Sequence, residues 1–249
     1  MTIDYKHILN NGVEISSSGT TGPAKTIFRT PKNLRACIEV ACDAQELTKS
    51  SKVLTVTRMT HAGGLLTQTL PAYSIGADFK VQQFNAFTFL KDFANYTHTF
   101  LTPAHMKALM KTKGFANCDL TGKRILGGSD PITWELIEAF VSKGATVQPN
   151  WGMSEIGPIA INAVFDSMET VKIIKESAEY IIHIDPPSNF TILGNNYYCD
   201  WKIIDGELYV KGPTSVYDDW YATKDLVAID IYYNMYYFGR KPAIDTIIS

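Results

Sequence analysis

The sequence predicts an α/β fold: a largely parallel sheet with flanking helices, joined to a smaller β-rich C-terminal part. Three features predict it. Short apolar runs alternate with helical segments from Val13 to Pro149, and strands separated by helices pair in parallel through crossover connections. Past residue 160 the texture changes to brief strand-like runs with turn residues between them. The 249 residues are also enough to bury a sizeable core.

Taken in order, Val13-Glu14-Ile15 reads as a strand, Ser16 to Lys25 as a polar loop, and Thr26-Ile27-Phe28 as the returning strand. Thr30 caps a helix whose first position is Pro31. Leu34, Cys37, Ile38, Ala41 and Leu47 recur at helical spacing and give that helix a buried stripe. Val53 to Thr57 is a strand, His61 to Tyr73 loop and helix, and Ala77 to Val81 a strand. Ala86 to Phe93 is helical, Thr97 to Leu101 is a strand, and a helix runs from Pro103 to about Lys111. Arg124 to Leu126 is the next strand, Asp130-Pro131 opens a helix to about Ser142, and Thr146 to Pro149 returns as strand. The β-rich part comprises Tyr180 to Ile184, Trp201 to Ile204, Glu207 to Val210, Val227 to Tyr233 and Tyr236 to Phe238. Asp205-Gly206 is a hairpin signal between two of these.

Composition narrows the function classes. Lys and Arg total 23 against 25 Asp and Glu, a formal net charge of -2, so no electrostatic ground exists for a nucleic-acid or membrane partner. Cys37, Cys42, Cys118 and Cys199 are scattered without a C-x-x-C pair, so neither a cysteine metal site nor a disulfide framework is expected. The first residues lack the apolar stretch of a signal peptide, and no apolar run is long enough to span a bilayer. The chain reads as cytoplasmic. A hydrolase triad is not indicated either, because no G-x-S-x-G elbow occurs.

The strongest local signal is Ser16-Ser17-Ser18-Gly19-Thr20-Thr21-Gly22-Pro23-Ala24-Lys25. Glycines let backbone approach a phosphate chain, hydroxyls and N–H groups donate to it, and Lys25 supplies a cation. It is not the G-x-x-x-x-G-K-[ST] pattern, since Pro23 follows Gly22 and the lysine comes two places late. Downstream lie Gly127-Gly128-Ser129-Asp130-Pro131, then Asn150-Trp151-Gly152-Met153-Ser154-Glu155-Ile156-Gly157. Tyr221-Ala222-Thr223-Lys224-Asp225-Leu226 and Phe238-Gly239-Arg240 follow.

These stretches, in this order, resemble the motifs of the adenylate-forming superfamily of acyl-CoA synthetases, peptide-synthetase adenylation domains and luciferases. The resemblance implies ATP and Mg2+ as cofactors and a carboxylic acid as substrate, with CoA or another acceptor. It implies that Ser17, Ser18, Gly19, Thr20, Thr21, Gly22 and Lys25 form the phosphate loop. Gly128, Ser129 and Asp130 would pack along adenine, and Asn150, Trp151, Gly152, Met153 and Ser154 would complete the nucleotide site. Glu155 would hold Mg2+, Asp225 the ribose hydroxyls, and Arg240 the ribose or α-phosphate. Lys25, Arg240 and Ser154 would be the catalytic groups. Lys224 replaces the family's usual glycine before Asp225. His61, with Gly127 and Gly157, would line the acyl pocket, a packed structural role for His61 being the alternative.

The resemblance divides the chain into a phosphate-loop hairpin and α/β subdomain (1–158) and a β-rich subdomain ending at the family's hinge (159–249). Family members usually carry a subdomain before the phosphate loop and a mobile domain after the hinge, whereas here the loop starts at Ser16 and Ser249 lies nine residues beyond Arg240. The expectation is acyl-AMP formation that is weak or partner-dependent, the missing parts coming from a homodimer or a partner chain. A non-catalytic ATP- or AMP-binding module, or a ligase fragment, is the competing reading.

Overall fold

The computed structural model describes residues 3–16, 25–182 and 190–242. Helix α1 (Tyr5–Asn11) leads into a hairpin of β1 (Val13–Ser16) and β2 (Thr26–Arg29), in which Ile15 pairs with Ile27 and Val13 with Arg29. Helix α2 (Pro31–Gln45) follows at once. Thr30 accepts from the Asn33 amide at 3.2 Å, Pro31 opens the helix, and Glu46 ends it in the left-handed region (φ 53°).

The crossover part runs β3 (Lys52–Thr55), α3 (Ala62–Gly64), a π-helical turn Leu65–Thr69, α4 (Leu70–Ile75) and β4 (Asp78–Val81). It continues with α5 (Phe89–Phe93), β5 (His98–Leu101), α6 (Pro103–Met110), α7 (Lys113–Ala116), β6 (Arg124–Gly127), α8 (Trp134–Val141) and β7 (Thr146–Met153). Then come β8 (Gly157–Asn162), α9 (Met168–Ser177), β9 (Thr191–Gly194), β10 (Asn196–Tyr197), β11 (Asp200–Ile204), β12 (Glu207–Lys211), β13 (Tyr221–Ile229) and β14 (Met235–Arg240).

The larger sheet has seven strands in the order β10-β8-β7-β6-β5-β3-β4, parallel from β7 to β4 and antiparallel at β8 and β10. Helices α5, α6, α8 and α9 cover one face around Phe93, Phe140 and Phe165, while α2 and the 62–75 segment cover the other. A parallel sheet needs both faces covered, because its central strands are apolar on both sides. The second sheet is antiparallel, β11-β12-β13-β14-β9. It shares a core with the β7–β8 hairpin through Trp151, Ile156 and Ile161 against Leu193, Leu208 and Met235. The predicted α/β class with its smaller β-rich C-terminal part is thus the fold observed. No described helix is long and apolar enough to cross a membrane, and all four cysteines are free.

Several elements differ from the sequence reading. The expected helix at Asp130-Pro131 begins at Trp134, because Ser129 turns into the left-handed region (φ 74°) and residues 129–132 line the cleft instead of continuing as helix. The expected strand at Val227 to Tyr233 is instead β13 from Tyr221 to Ile229, with Ile231 to Tyr233 in the turn that follows. Around Tyr180 there is a 3-10 turn and a single bridge from Ile181 to Asp230; residues 183 and 184 lie outside the described residues. Helices α1 and α9 and strand β8 had no counterpart in the expectation.

The π-helical turn shows how one buried amide holds this region. Pro71 has no N–H to give the carbonyl one turn before it, that of Thr67. Gln45, wholly buried, donates to that carbonyl at 2.7 Å and to Ala41 O at 2.9 Å. Replacing it by leucine keeps the volume but takes this donor from the Thr67 carbonyl, which costs roughly 1–3 kcal/mol. We predict that Gln45→Leu lowers the melting temperature by several degrees with the far-ultraviolet circular dichroism unchanged. An unaltered melting temperature would show that the Thr67 carbonyl does not depend on Gln45.

Candidate active site

The parallel strands are ordered so that the connections leaving the neighbouring strands β3 and β5, to β4 and to β6, run in opposite directions. In open α/β sheets a crevice forms at the carboxyl ends of the strands where this happens. Here it is a cleft of about 1450 Å³, walled by the strand-end segments near Thr57, Thr102 and Ser129 and, opposite, by the β7–β8 turn with β13 and β14.

The β7–β8 turn carries the first charge. Ile156 is fully buried and its amide donates to Met153 O at 3.2 Å, which leaves Ser154 and Glu155 at the turn's crest. A side chain at Gly152 would run into the backbone of Gly157 and Pro158, and Gly157 (φ 121°) packs against Thr214, so small residues let the hairpin close this tightly. Glu155 is mostly buried yet lines the cleft, and its main-chain oxygen accepts from Val216 N at 2.9 Å. Beneath the turn lies Arg29, wholly buried, donating to Ser154 O at 2.6 Å and Thr214 O at 2.7 Å.

The second cluster joins the two sheets. The Trp151 indole N–H donates to Asp225 Oδ2 at 2.9 Å, and Arg240 Nε stands 3.5 Å from Asp225 Oδ1. Burial pushes the Asp225 carboxyl above the usual aspartate range; the Trp151 bond and the Arg240 charge pull it back. Lys224, just before it, occupies the left-handed region (φ 65°), so the lysine adopts the backbone that a glycine would favour there. That conformation is held from both sides: Lys224 N donates to Glu207 Oε1 at 2.9 Å, and its carbonyl accepts from Lys241 N at 2.7 Å. Lys241 Nζ also reaches the buried Glu207 at 3.1 Å.

Of the residues singled out in the sequence, Lys25, His61, Ser129, Asp130, Asn150, Trp151, Gly152, Met153, Ser154, Glu155, Asp225 and Arg240 all line this one cleft. Gly127 and Gly128 back its wall, the former against Ile132 and the latter against Phe100 and Asn150, and Gly157 backs the turn. Ser17, Ser18, Gly19, Thr20, Thr21 and Gly22 lie outside the described residues. His61 Nδ1 is 3.0 Å from Ser16 O, which ties the start of the 16–25 stretch to the cleft edge. Asn150 donates to Pro158 O at 2.6 Å, and its Oδ1 is buried with no partner among the described residues.

Sequence reasoning passed over Arg29, His105 and Tyr237. His105 lines the cleft stacked on Phe84 (centroids 4.1 Å apart), and burial holds its pKa below the usual histidine value. Arg29 could have been found from strand alternation. Ile27 and Arg29 share a side of β2, and a cation at an inward position asks for a partner.

The sequence profile of the family described as AMP-binding enzyme matches residues 15–217. The chain belongs to that family. It is the adenylate-forming superfamily that the five motifs resemble. Among curated relatives, the indoleacetate–CoA ligase of Aromatoleum aromaticum is 30% identical over 149 residues, covering 58% of this chain and 29% of that protein. The 4-coumarate–CoA ligase-like 4 of Oryza sativa subsp. japonica is 26% identical over 242 residues, covering 86% of this chain and 42% of its own length. The chain spans less than half the length of these relatives. Solved structures of similar fold include the o-succinylbenzoate CoA synthetase of Bacillus subtilis (TM-score 0.74, 19% identity, 94% of this chain and 50% of that one). ATP-bound MatB from Rhodopseudomonas palustris is another (TM-score 0.72, 18% identity, 91% and 47%).

The AMP-binding family brings a metal into question, and the residues can be tested for it. Among the described residues no three His, Cys, Asp or Glu side chains gather into a metal cage. A lone carboxylate on a cleft wall suits Mg2+, which keeps most of its waters and takes its remaining oxygens from phosphates. Glu155 fits that demand.

The Asp225 pKa gives a direct check on the second cluster. Removing the indole N–H withdraws a bond that favours the charged form, so Trp151→Phe raises the Asp225 pKa further. Above the unfolded value, a raised folded pKa makes ionisation cost stability, so the variant loses more stability as pH climbs through that window. Titration of the Asp225 carboxyl carbon by NMR should move to higher pH in Trp151→Phe. A shift to lower pH would mean that the Trp151–Asp225 bond does not exist in solution.

Proposed function

We propose that this protein binds Mg·ATP in the cleft and activates a carboxylic acid as an acyl-AMP, with CoA as the acceptor that follows. The observation that carries this reading is the convergence of Lys25, Glu155, Asp225 and Arg240 on one cleft at the carboxyl ends of the parallel strands. Those groups come from four separate elements, and their chemistry matches the parts of one nucleotide. Asp225 offers a carboxylate to a ribose diol, held in place by Trp151 and Arg240. Asn150 and Trp151 line the same cleft, where a purine ring can lie. Lys25, Ser154 and the amides and hydroxyls of residues 17–22 suit a phosphate chain. The chain covers 29% and 42% of two relatives named as CoA ligases, so the acid and the acceptor are carried over from them as part of the proposal.

In the reaction, a substrate carboxylate oxygen attacks the α-phosphorus, and the bond from that phosphorus to the bridging oxygen of pyrophosphate breaks. No general base is required, because a carboxylate is ionised at neutral pH. Lys25 and Arg240 then act on charge and position, neutralising oxygens of the pentacoordinate state and holding the nucleophile in line. When bound at Glu155, Mg2+ neutralises phosphate charge and the departing pyrophosphate. The acid lies on the far side of the cleft, where Val56, Met59, Phe84, Phe100 and Ile132 make an apolar wall.

The test is ATP–pyrophosphate exchange with a panel of aryl and fatty acids, comparing the wild type with Glu155→Gln. Exchange should depend on an added acid and fall by at least about tenfold in the variant, the scale on which weakened metal holding lowers activity. Equal exchange in the two proteins would remove Glu155 from the mechanism. Nucleotide binding with no exchange for any acid would favour the binding module instead.

A further inference from the structure

We infer that Arg29 is a positioning residue whose guanidinium fixes the turn bearing Glu155 against the 212–216 segment. The inference rests on the reading of Glu155 given above, but its geometry stands apart from it. Arg29 is wholly buried, and burying a guanidinium costs several kcal/mol unless good partners meet it. Its partners are main-chain carbonyls: Nη2 donates to Ser154 O at 2.6 Å and Nη1 to Thr214 O at 2.7 Å, with Cys37 Sγ at 3.4 Å from Nη1. The Nε proton is buried and has no partner among the described residues. A group kept dry with one donor unmatched is poor stabilisation for its own sake. What it provides is a rigid planar fork that reaches both segments at once, which a flexible ammonium cannot do.

Neighbouring bonds act in the same direction. Asn33 Nδ2 donates to Ser215 O at 2.8 Å, and Val216 N donates to Glu155 O at 2.9 Å. Arg29 itself is held by its pairing with Val13 and by the helix cap that starts at Thr30. The hairpin that contains the 16–25 stretch therefore has its base bolted to the Glu155 turn. Charge runs the same way: burial pulls the Arg29 pKa down, and among the groups that oppose this is the Glu155 carboxylate. The guanidinium thus stands behind Glu155 as fixed positive charge and as a mechanical stop, leaving the carboxylate aimed into the cleft.

Arg29→Lys keeps the charge and most of the volume but cannot bridge both carbonyls; Arg29→Gln removes the charge as well. In nucleotide-free protein, amide hydrogen exchange should accelerate about tenfold or more over residues 153–157 and 212–217 in both variants, with β3, β5 and β6 unchanged. In the pyrophosphate-exchange assay the half-saturating Mg2+ concentration should rise several-fold while that for the acid stays put. Unchanged hydrogen exchange at both segments in the folded variants would overturn the clamp. Faster hydrogen exchange with an unaltered Mg2+ response would overturn the positioning role and leave Arg29 a packing residue. A wild type without Mg2+-dependent turnover would count against the functional reading, while hydrogen exchange would still decide the clamp.

Discussion

Strand β7 outruns its parallel partner half-way along its length, and the site depends on that overrun. Its first residues pair in parallel with β6, up to Gly127 opposite Pro149. On its other side it pairs antiparallel with the returning chain, from Val147 opposite Phe165 to Met153 opposite Gly157, so beyond Pro149 it continues on that partner alone. Pro149 has no N–H for the ladder, and its carbonyl accepts from Ala163 N at 3.2 Å. The consequence is geometric. Instead of stopping at the sheet's carboxyl edge with the other parallel strands, β7 runs on past it and turns back at Ser154 and Glu155. Trp151 is carried into the core of the second sheet, where its indole meets Asp225. A strand that ended at Pro149 would remove the Trp151–Asp225 link that joins the two sheets at the cleft.

The Asp225 carboxylate on the cleft wall is not fully spent on its neighbours. Asp225 has Trp151 and Arg240, yet the Arg240 contact is long at 3.5 Å, and burial still disfavours the ionised form. Such a carboxylate gains from a ligand that offers it hydroxyl donors. Glu207 takes the opposite part. It is consumed by the Lys224 amide and Lys241 ammonium, and it holds the two chain segments that flank Asp225 and Arg240 in register. The strained backbone at Lys224 and at Ser129 falls on the cleft wall, where such strain is most often stored.

Much of this was legible in the chain itself. The hairpin, α2 with its Thr30 cap, the parallel strands and the Asp205-Gly206 turn follow from local chemistry, because capping, turn geometry and apolar periodicity are properties of neighbouring residues. The motif residues could be picked out as a set because each sits at a strand end or turn with a distinctive local string. What failed was non-local. Helix α9 was missed although Val171 and Ile174 form its buried stripe and Ser167 caps it, since a polar mean composition hides a helix of only 10 residues. Strand β8 looks like any apolar run until β7 pairs with it. Alternation along β2 puts Arg29 on the inward side with Ile27, but its partners, the carbonyls of Ser154 and Thr214, come from far along the chain and could not be read locally.

The central claim is that these elements form one Mg·ATP site rather than a generic apolar cleft with charged rims. Calorimetric titration of AMP and of ATP, each with and without Mg2+, tests it most directly. If Asp225, Trp151 and Asn150 hold the nucleoside while Glu155 serves the phosphate-bound cation, AMP should bind with little dependence on Mg2+, and ATP should bind markedly tighter with the metal than in chelator. Binding of ATP that is indifferent to Mg2+, or no binding of either nucleotide, would contradict the account.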